Sequence, residues 1–258
     1  MSTIKTGNGV TIEYAQVGQG HDLVMLHSLL TDRSAYDRVL PALVHNYRVT
    51  LFSLPGFGAS SPVEWGIWNY ADWIAIAFEA LNLPQDTDVV GNGFGGFVAS
   101  AFAARYGQRC GRLLLADTGA KFPEAGRDAF RSMAAMVEQG GMEAVLEASA
   151  RRLFTEDYIE ANPELVNACR SVLLRTDPQA FITACQTLAS LDLRSSLPEV
   201  RNEALVIAGE YDVATPPPIC QELAEYLPNA RYHEISDCAH APQIQKPQQF
   251  LELIETFF

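Results

Sequence analysis

The residues with the clearest chemical meaning are those at positions 91–96, which read Gly-Asn-Gly-Phe-Gly-Gly and follow two valines. The pattern Gly-x-Ser-x-Gly forms a sharp turn between a strand and a helix, the nucleophile elbow, with a catalytic serine at its tip. Here the flanking glycines are present, but Gly93 stands where the serine belongs. Glycine has no side-chain atom that could form a covalent intermediate, so the elbow lacks its nucleophile.

A glycine-rich turn between a strand and a helix can also bind phosphate. Residues 91–96 lack the Lys-Ser/Thr pair of a P-loop. Gly91, Gly93 and Gly96 do match the dinucleotide fingerprint Gly-x-Gly-x-x-Gly, and Asp117 follows at about the expected distance. That fingerprint normally follows the first strand of its domain, whereas two strand-like runs precede this turn. Its place in the chain therefore argues against a dinucleotide site.

Two further residues are candidates for an acid and a base. Asp212 follows a predicted strand, where it could orient a histidine, and His240 lies on a loop beyond the next one. A histidine on such a loop is the usual general base. The order of nucleophile position, acid and base along the chain is the order that elbow enzymes use. Asp117, at the end of another predicted strand, is an alternative orienting acid.

The loop after the first predicted buried strand reads His-Ser-Leu-Leu-Thr-Asp. A loop at this place supplies a second oxyanion donor in elbow enzymes, so we expect the backbone N–H of Leu29 to act with that of Phe94. We predict that His27, Ser28 and Asn92 border the substrate. His27 is expected to hold the loop in place rather than to react.

These residues need a scaffold that brings several loops together. The chain contains short apolar runs that are continuous rather than alternating, as expected for strands covered on both faces, and they lie at residues 23–26, 49–54, 89–90, 113–116 and 205–208. Helical patterns separate them, at residues 70–81, 97–106, 217–226 and 247–257. This alternation predicts an α/β fold with a mostly parallel central sheet flanked by helices.

The alternation stops between residues 122 and 191, where apolar spacing indicates about four helices and no strand. We interpret this segment as a helical cap over the site. The predicted division is a first core part at 1–121, the cap at 122–191 and a second core part at 192–258. From the cap, Met133, Met136 and Leu146 are predicted to line an apolar substrate pocket.

The composition limits the classes of ligand. With 258 residues and a formal net charge of -13, the chain is unsuited to nucleic acid or an anionic membrane surface, and a small-molecule substrate is expected. Five scattered cysteines without a Cys-x-x-Cys pair indicate neither a disulfide framework nor a zinc site. No metal or organic cofactor is expected, since histidine and aspartate form a self-contained acid-base pair.

The N-terminal residues lack an apolar signal core, and no run approaches the roughly 18 apolar residues of a membrane span. We therefore expect a cytoplasmic protein. The sequence leaves open whether it forms a homo-oligomer.

On these motifs the chain resembles the α/β-hydrolase family over nearly its whole length. Within that family it is most similar to enol-lactone hydrolases, whose corresponding loop is like Ser-Leu-Gly-Thr-Asp, and to carbon-carbon bond hydrolases of aromatic degradation, whose elbow is like Gly-Asn-x-x-Gly-Gly. The resemblance implies the α/β-hydrolase fold with an inserted cap. It also implies a triad formed by position 93, Asp212 and His240, with glycine in place of the nucleophile.

Three interpretations of Gly93 follow. In the first, a serine hydrolase of small esters, lactones or related carbonyl compounds has had its elbow serine replaced, as is done to trap a substrate complex, and is nearly inactive. In the second, His240 and Asp212 form a cofactor-independent enzyme of the lyase or dioxygenase type that needs no serine. In the third, the chain is a non-catalytic protein that binds a small ligand.

Overall fold

The computed structural model describes residues 2–258, which form one eight-stranded sheet covered by helices on both faces. Its strands are β1 (Ser2–Lys5), β2 (Thr11–Gly18), β3 (His21–Leu26), β4 (Tyr47–Phe52), β5 (Asp88–Asn92), β6 (Leu113–Ala116), β7 (Ala204–Gly209) and β8 (Ala230–Ile235). Their order across the sheet is β1-β2-β4-β3-β5-β6-β7-β8. Only the pairs β1-β2 and β2-β4 are antiparallel. The mostly parallel sheet predicted from the sequence is confirmed.

The strands β3 to β7 in the middle of the sheet are the ones that the apolar runs predicted. Every residue of β5, β6 and β7 is buried, because helices cover both faces of these strands. By contrast, β1 and β2 carry mostly exposed or half-buried side chains. These two strands have no continuous apolar run, and the sequence reading did not predict them.

Helices outside the cap lie on the two faces of the sheet. They are α1 (Leu40–Leu43), α2 (Ile67–Ala80), α3 (Phe94–Tyr106), α9 (Pro217–Tyr226), α10 (Pro242–Gln245) and α11 (Pro247–Phe257). Apolar side chains of α2, α3 and α9 belong to one large hydrophobic cluster, whereas α1 and α11 pack into a second cluster. Crossover helices of this kind are what parallel neighbours in a sheet require.

The chain between β6 and β7 is helical, as predicted, but it contains five α-helices rather than about four. They are α4 (Glu124–Gly140), α5 (Leu146–Leu153), α6 (Glu156–Ala161), α7 (Pro163–Leu174) and α8 (Pro178–Ser190). Phe130, Leu153 and Phe181 of these helices are buried in the same hydrophobic cluster as α2 and α3. The cap therefore shares its core with the sheet domain.

Over residues 2–258, no helix is both long enough and apolar enough to cross a membrane.

Candidate active site

Five loops meet at the carboxyl edge of the sheet, and each carries one of the residues that the sequence singled out. They follow β3, β5, β6, β7 and β8, and they carry Ser28, Gly93, Asp117, Asp212 and His240 respectively. The carboxyl ends of parallel strands share one edge, which is the usual place for a ligand site in such sheets. Here four of these side chains are almost completely buried.

The elbow connects β5 to α3 through Gly93, whose φ is +52°. Its neighbouring glycines are required by close packing. A Cβ added to Gly91 would lie 2.5 Å from the carbonyl oxygen of Gly95, and one added to Gly96 would lie 2.7 Å from Cβ of Thr118. The glycines thus let the start of α3 pack directly against its strand.

Asp212 and His240 form a buried pair. Nδ1 of His240 donates to Oδ2 of Asp212 over 2.8 Å. The hydroxyl of Thr215 donates to Oδ2 over 2.7 Å, and the N–H groups of Ala214 and Thr215 donate to Oδ1. Burial acts to raise the pKa of Asp212, but the charge of His240 and these hydrogen bonds together hold that pKa below its ordinary value. The carboxylate is therefore ionised and fixes the histidine ring.

Asp117, the alternative acid, makes no hydrogen bond to His240 in the part of the chain that the structure describes. Its Oδ1 accepts the backbone N–H of Gly209 over 2.8 Å. Burial and the nearby charge of Asp212 raise the pKa of Asp117 well above its ordinary value. The geometry thus gives the orienting place to Asp212 and leaves Asp117 as a buried neighbour with a raised pKa.

The raised pKa of Asp117 predicts a pH-dependent loss of stability that Asp117→Asn removes. As pH rises above the ordinary value of 3.8, the unfolded chain releases this proton while the folded chain retains it. The free energy of unfolding should then fall by about 1.4 kcal/mol per pH unit until the raised folded pKa is passed. Asparagine carries no such proton and keeps an oxygen for Gly209.

Urea unfolding at a series of pH values from the ordinary pKa of Asp117 upward measures this effect. The difference in unfolding free energy between Asp117→Asn and the unchanged chain should grow with pH in favour of the variant. A difference that stays constant across the series would show that Asp117 is ionised in the folded chain.

Ser28 contacts the candidate base directly. Its Oγ lies 3.1 Å from Nε2 of His240, and its side chain is 1% exposed. Because Nδ1 of His240 carries the hydrogen that points at Asp212, Nε2 is the free acceptor, and the hydroxyl of Ser28 donates to it. The sequence predicted that Ser28 borders the substrate, but it did not predict the contact between Ser28 and His240.

The position where an elbow side chain would stand is occupied by two groups. A Cβ added to Gly93 would lie 2.6 Å from Nε2 of His240, and it would also meet Oγ of Ser28. The base nitrogen and the Ser28 hydroxyl therefore both point into the space that the missing side chain leaves.

Two backbone N–H groups border the same space. Within residues 2–258, the N–H of Leu29 and the N–H of Phe94 donate to no carbonyl or side chain. Their neighbours are engaged, since Gly93 donates to Ala116 and Gly95 donates to His27. A free pair of N–H groups, one at the start of a helix and one on the facing loop, can donate hydrogen bonds to a developing oxyanion.

A narrow pocket of about 20 Å³ lies above these groups, between the sheet edge and the cap. Its lining includes Ser28, Leu29, Gly93, Phe94, Phe97, Phe122, Phe130, Met133, Arg152, Leu188, Ala214, Thr215 and His240. Met133 is among these lining residues. Met136, which is 43% exposed, and Leu146, which is partly buried against the hydrophobic core, are not, and the predicted contacts of all three with substrate stay predictions.

His27 and Asn92 are not among the residues that line this pocket, and their predicted contacts with substrate stay predictions. Nδ1 of His27 donates to the carbonyl of Ser28 over 2.8 Å, and its Nε2 accepts the N–H of Leu54 over 3.1 Å. Nδ2 of Asn92 donates to the carbonyl of His240 over 2.9 Å. Both side chains hold the loops that carry Ser28 and His240. His27 does fix its loop, as the sequence reading expected.

Asp117, Asp212 and His240 place potential ligand atoms within 4.8 Å of one another. Nδ1 of His240 already donates to Asp212, and Oδ1 of Asp117 accepts the N–H of Gly209. These hydrogen bonds suit an acid-base pair.

Comparisons with known proteins agree on the fold. A family model described as the alpha/beta hydrolase fold matches residues 23–247, which is more than half of the chain. The 3-oxoadipate enol-lactonase 2 of Acinetobacter baylyi is 28% identical over 254 residues, covering 97% of this chain and 94% of that protein. The 2-hydroxymuconate semialdehyde hydrolase of Pseudomonas putida is 32% identical over 224 residues, covering 81% of this chain and 76% of that protein.

Among solved structures, the enol-lactonase from Burkholderia xenovorans superposes with a TM-score of 0.93 at 27% identity. The match covers 99% of both chains. The similarity therefore includes the cap as well as the sheet.

Proposed function

Since the chain belongs to the alpha/beta hydrolase family, we propose that it acts on a small ester, lactone or related carbonyl compound. In this proposal His240, oriented by Asp212, is the general base. The N–H groups of Leu29 and Phe94 stabilise the negative charge that develops on the carbonyl oxygen. Gly93 occupies the position from which a serine attacks in enzymes with this elbow.

One observation carries the proposal, namely the 2.6 Å between a Cβ placed on Gly93 and Nε2 of His240. A side chain at position 93 would point at Nε2 of His240, although at this distance the imidazole would have to move back to admit it. The other ring nitrogen is held by Asp212. His240, held by Asp212 through Nδ1, lines the same pocket as Leu29 and Phe94, the residues with the two free N–H groups. This is the arrangement that acyl transfer needs.

The relatives support a small carbonyl substrate. Two of them are named as enol-lactonases and one as a semialdehyde hydrolase. The mostly aromatic and aliphatic lining of the pocket suits the apolar part of such a compound.

Arg152 extends the proposal to substrates that carry a carboxylate. It lines the pocket, and its guanidinium lies 5.7 Å from the ring centre of Phe130. In the described part of the chain no carboxylate lies within ion-pair distance of it, whereas its neighbour Arg151 pairs with Glu156 over 3.2 Å. Burial lowers the pKa of Arg152, which still leaves the guanidinium charged at neutral pH. A substrate carboxylate would relieve the cost of this unpaired charge.

Arg152→Gln should weaken binding of a carboxylate ligand by about 10- to 100-fold, because a hydrogen bond to a charged group contributes roughly 1.5–3 kcal/mol. Calorimetry with 4-oxohexanoate and with the uncharged 4-oxohexanamide measures the effect. The amide should bind equally to both chains. Arg151→Gln is the matched control and should leave both affinities unchanged. Equal losses for acid and amide would show that Arg152 only shapes the pocket.

Gly93 excludes an acyl-enzyme at the elbow. The acid, the base and the oxyanion donors remain in place around the elbow. This favours the interpretation of a serine hydrolase whose elbow serine has been replaced, so that catalysis through the elbow is inactive. The serine-independent interpretation uses the same base and oxyanion donors, and the binding interpretation uses only the pocket.

Restoring a serine at position 93 separates these functions. Activated esters and a panel of small lactones are assayed with the unchanged chain and with restored variants, which are those that carry Gly93→Ser. A rapid burst of product in the restored variants supports the proposal, since it reports an acyl-enzyme. Turnover of a ketone or enol by the glycine form, without any gain from serine, would favour the serine-independent enzyme. Tight binding without turnover in every form would contradict the proposal and leave a binding protein.

A further inference from the structure

We propose that Ser28 is the nucleophile of this site and replaces the side chain that is absent from the elbow. The inference rests on the proposed function, because it uses the same base, oxyanion donors and pocket. It assigns to the loop after β3 the role that the loop after β5 has in elbow enzymes.

The hydrogen bonds supply the first argument. Asp212, His240 and Ser28 form a continuous chain, with 2.8 Å from Oδ2 to Nδ1 and 3.1 Å from Nε2 to Oγ. The ionised carboxylate fixes the tautomer in which Nε2 is free, so the Ser28 proton already points at the base. A hydroxyl activated in this way is the defining feature of a nucleophilic serine.

The space around Gly93 supplies the second argument. A Cβ on Gly93 would lie 3.0 Å from Cβ of Ser28 and would meet its hydroxyl. The Ser28 hydroxyl thus fills the volume that an elbow side chain would need. A hydroxyl carried from either residue reaches the same nitrogen of His240.

The oxyanion donors supply the third argument. In an elbow enzyme, one donor belongs to the residue directly after the nucleophile and the second to the facing loop. With Ser28 as nucleophile, Leu29 is the residue directly after it, and Phe94 lies across the pocket. The same two free N–H groups therefore serve a serine at either position.

The Ser28 hydroxyl has no evident structural task. In the described residues its only partner is Nε2 of His240. The loop is held by other atoms, since the backbone N–H of Ser28 donates to Oγ1 of Thr31 and the carbonyl of Ser28 accepts Nδ1 of His27. Removing the hydroxyl should therefore leave the loop in place.

The chemical step is an acyl transfer. Oγ of Ser28 forms a bond to the carbonyl carbon while its proton moves to Nε2 of His240, and the carbonyl electron pair moves to the oxygen held by Leu29 and Phe94. The tetrahedral intermediate collapses, the bond to the alkoxide breaks, and the alkoxide takes the proton from His240. Water then attacks the acyl-Ser28 ester, gives its proton to His240 and releases the acid. Ser28 regains its proton.

Diisopropyl fluorophosphate tests the proposal because it forms a stable O–P bond to an activated serine as the P–F bond breaks and hydrogen fluoride leaves. Trypsin then separates the two positions. Cleavage after Lys5 and Arg33 gives peptide 6–33, whose only serine is Ser28, whereas residue 93 falls in peptide 49–105. We expect the adduct on peptide 6–33 of the unchanged chain.

Ser28→Ala should lower the labelling rate by about 100-fold or more, since the activated hydroxyl is lost. Ser100→Ala is the matched control, because Ser100 is also fully buried but has no partner in the described residues, and it should label normally. Unchanged affinity of Ser28→Ala for 4-oxohexanoate would show that the pocket is intact.

The outcomes separate the two proposals. If the unchanged chain resists the reagent but the double variant Gly93→Ser/Ser28→Ala is labelled on peptide 49–105, the role of Ser28 is overturned and the proposed function stands. If neither form is labelled or hydrolyses an activated ester, both fail. Label on peptide 6–33 that persists in Ser28→Ala would likewise overturn the assignment.

Discussion

The double variant Gly93→Ser/Ser28→Ala should hydrolyse an activated aryl ester about 10³-fold faster than Ser28→Ala alone. Loss of a triad serine costs about 10⁶ in turnover in a well-studied protease, so its restoration to an assembled site can recover a large part of that factor. The hydroxyl at position 93 would be within reach of His240 and flanked by the free N–H groups of Leu29 and Phe94.

Two features determine the design of this variant. A Cβ at position 93 would meet both the Ser28 hydroxyl and Nε2 of His240, the latter at 2.6 Å, so the imidazole must move back in either variant. Gly93→Ser alone also displaces the Ser28 hydroxyl from His240 and should gain less than the double variant. The φ of +52° also strains any residue other than glycine, by roughly 1–3 kcal/mol. Initial rates and burst amplitudes with 4-nitrophenyl acetate measure the gain. No gain in the double variant would show that the elbow is not a competent attacking position.

His240→Ala should lower ester hydrolysis by roughly 10⁴-fold or more, both in the unchanged chain and in the variant with a restored elbow. The same imidazole accepts the proton from a hydroxyl at either position, and removal of the triad histidine costs about as much as removal of the serine in the protease series. Steady-state rates with 4-nitrophenyl acetate measure the loss.

The control for this prediction is His45→Ala, because His45 is exposed and lies outside the pocket lining. It should keep full activity. If His240→Ala retained more than about a tenth of the rate, the base would have to be another group. The proposed roles of a serine at position 28 and at position 93 would then both be contradicted.

Much of the fold could be predicted because buried strands have a recognisable pattern of apolar residues in the sequence. The continuous apolar runs of β5, β6 and β7 reflect helices on both faces of the sheet. The exposed strands β1 and β2 have no such apolar run. The pairing of β2 also depends on a strand far along the chain. Ala15 of β2 pairs with Leu51 of β4, for example.

The candidate site could be predicted only in part. The elbow glycines and the order of Asp212 and His240 along the chain predict that these loops converge. The contact between Ser28 and His240 joins residues 212 positions apart, and it depends on side-chain directions that no local pattern encodes. The different exposure of Met133 and Met136 has the same origin, since helical spacing alone does not show which face of α4 turns outward.

The convergence of two loops on one imidazole has a consequence for how such sites diverge. The loops after β3 and β5 belong to different strands, and each offers a position next to Nε2 of His240. A lineage could therefore lose the attacking residue of the elbow without abandoning the reaction, because a serine on the opposite wall takes its place. Surveys that identify active members of the family by a serine in the glycine-rich turn would then classify such descendants as inactive.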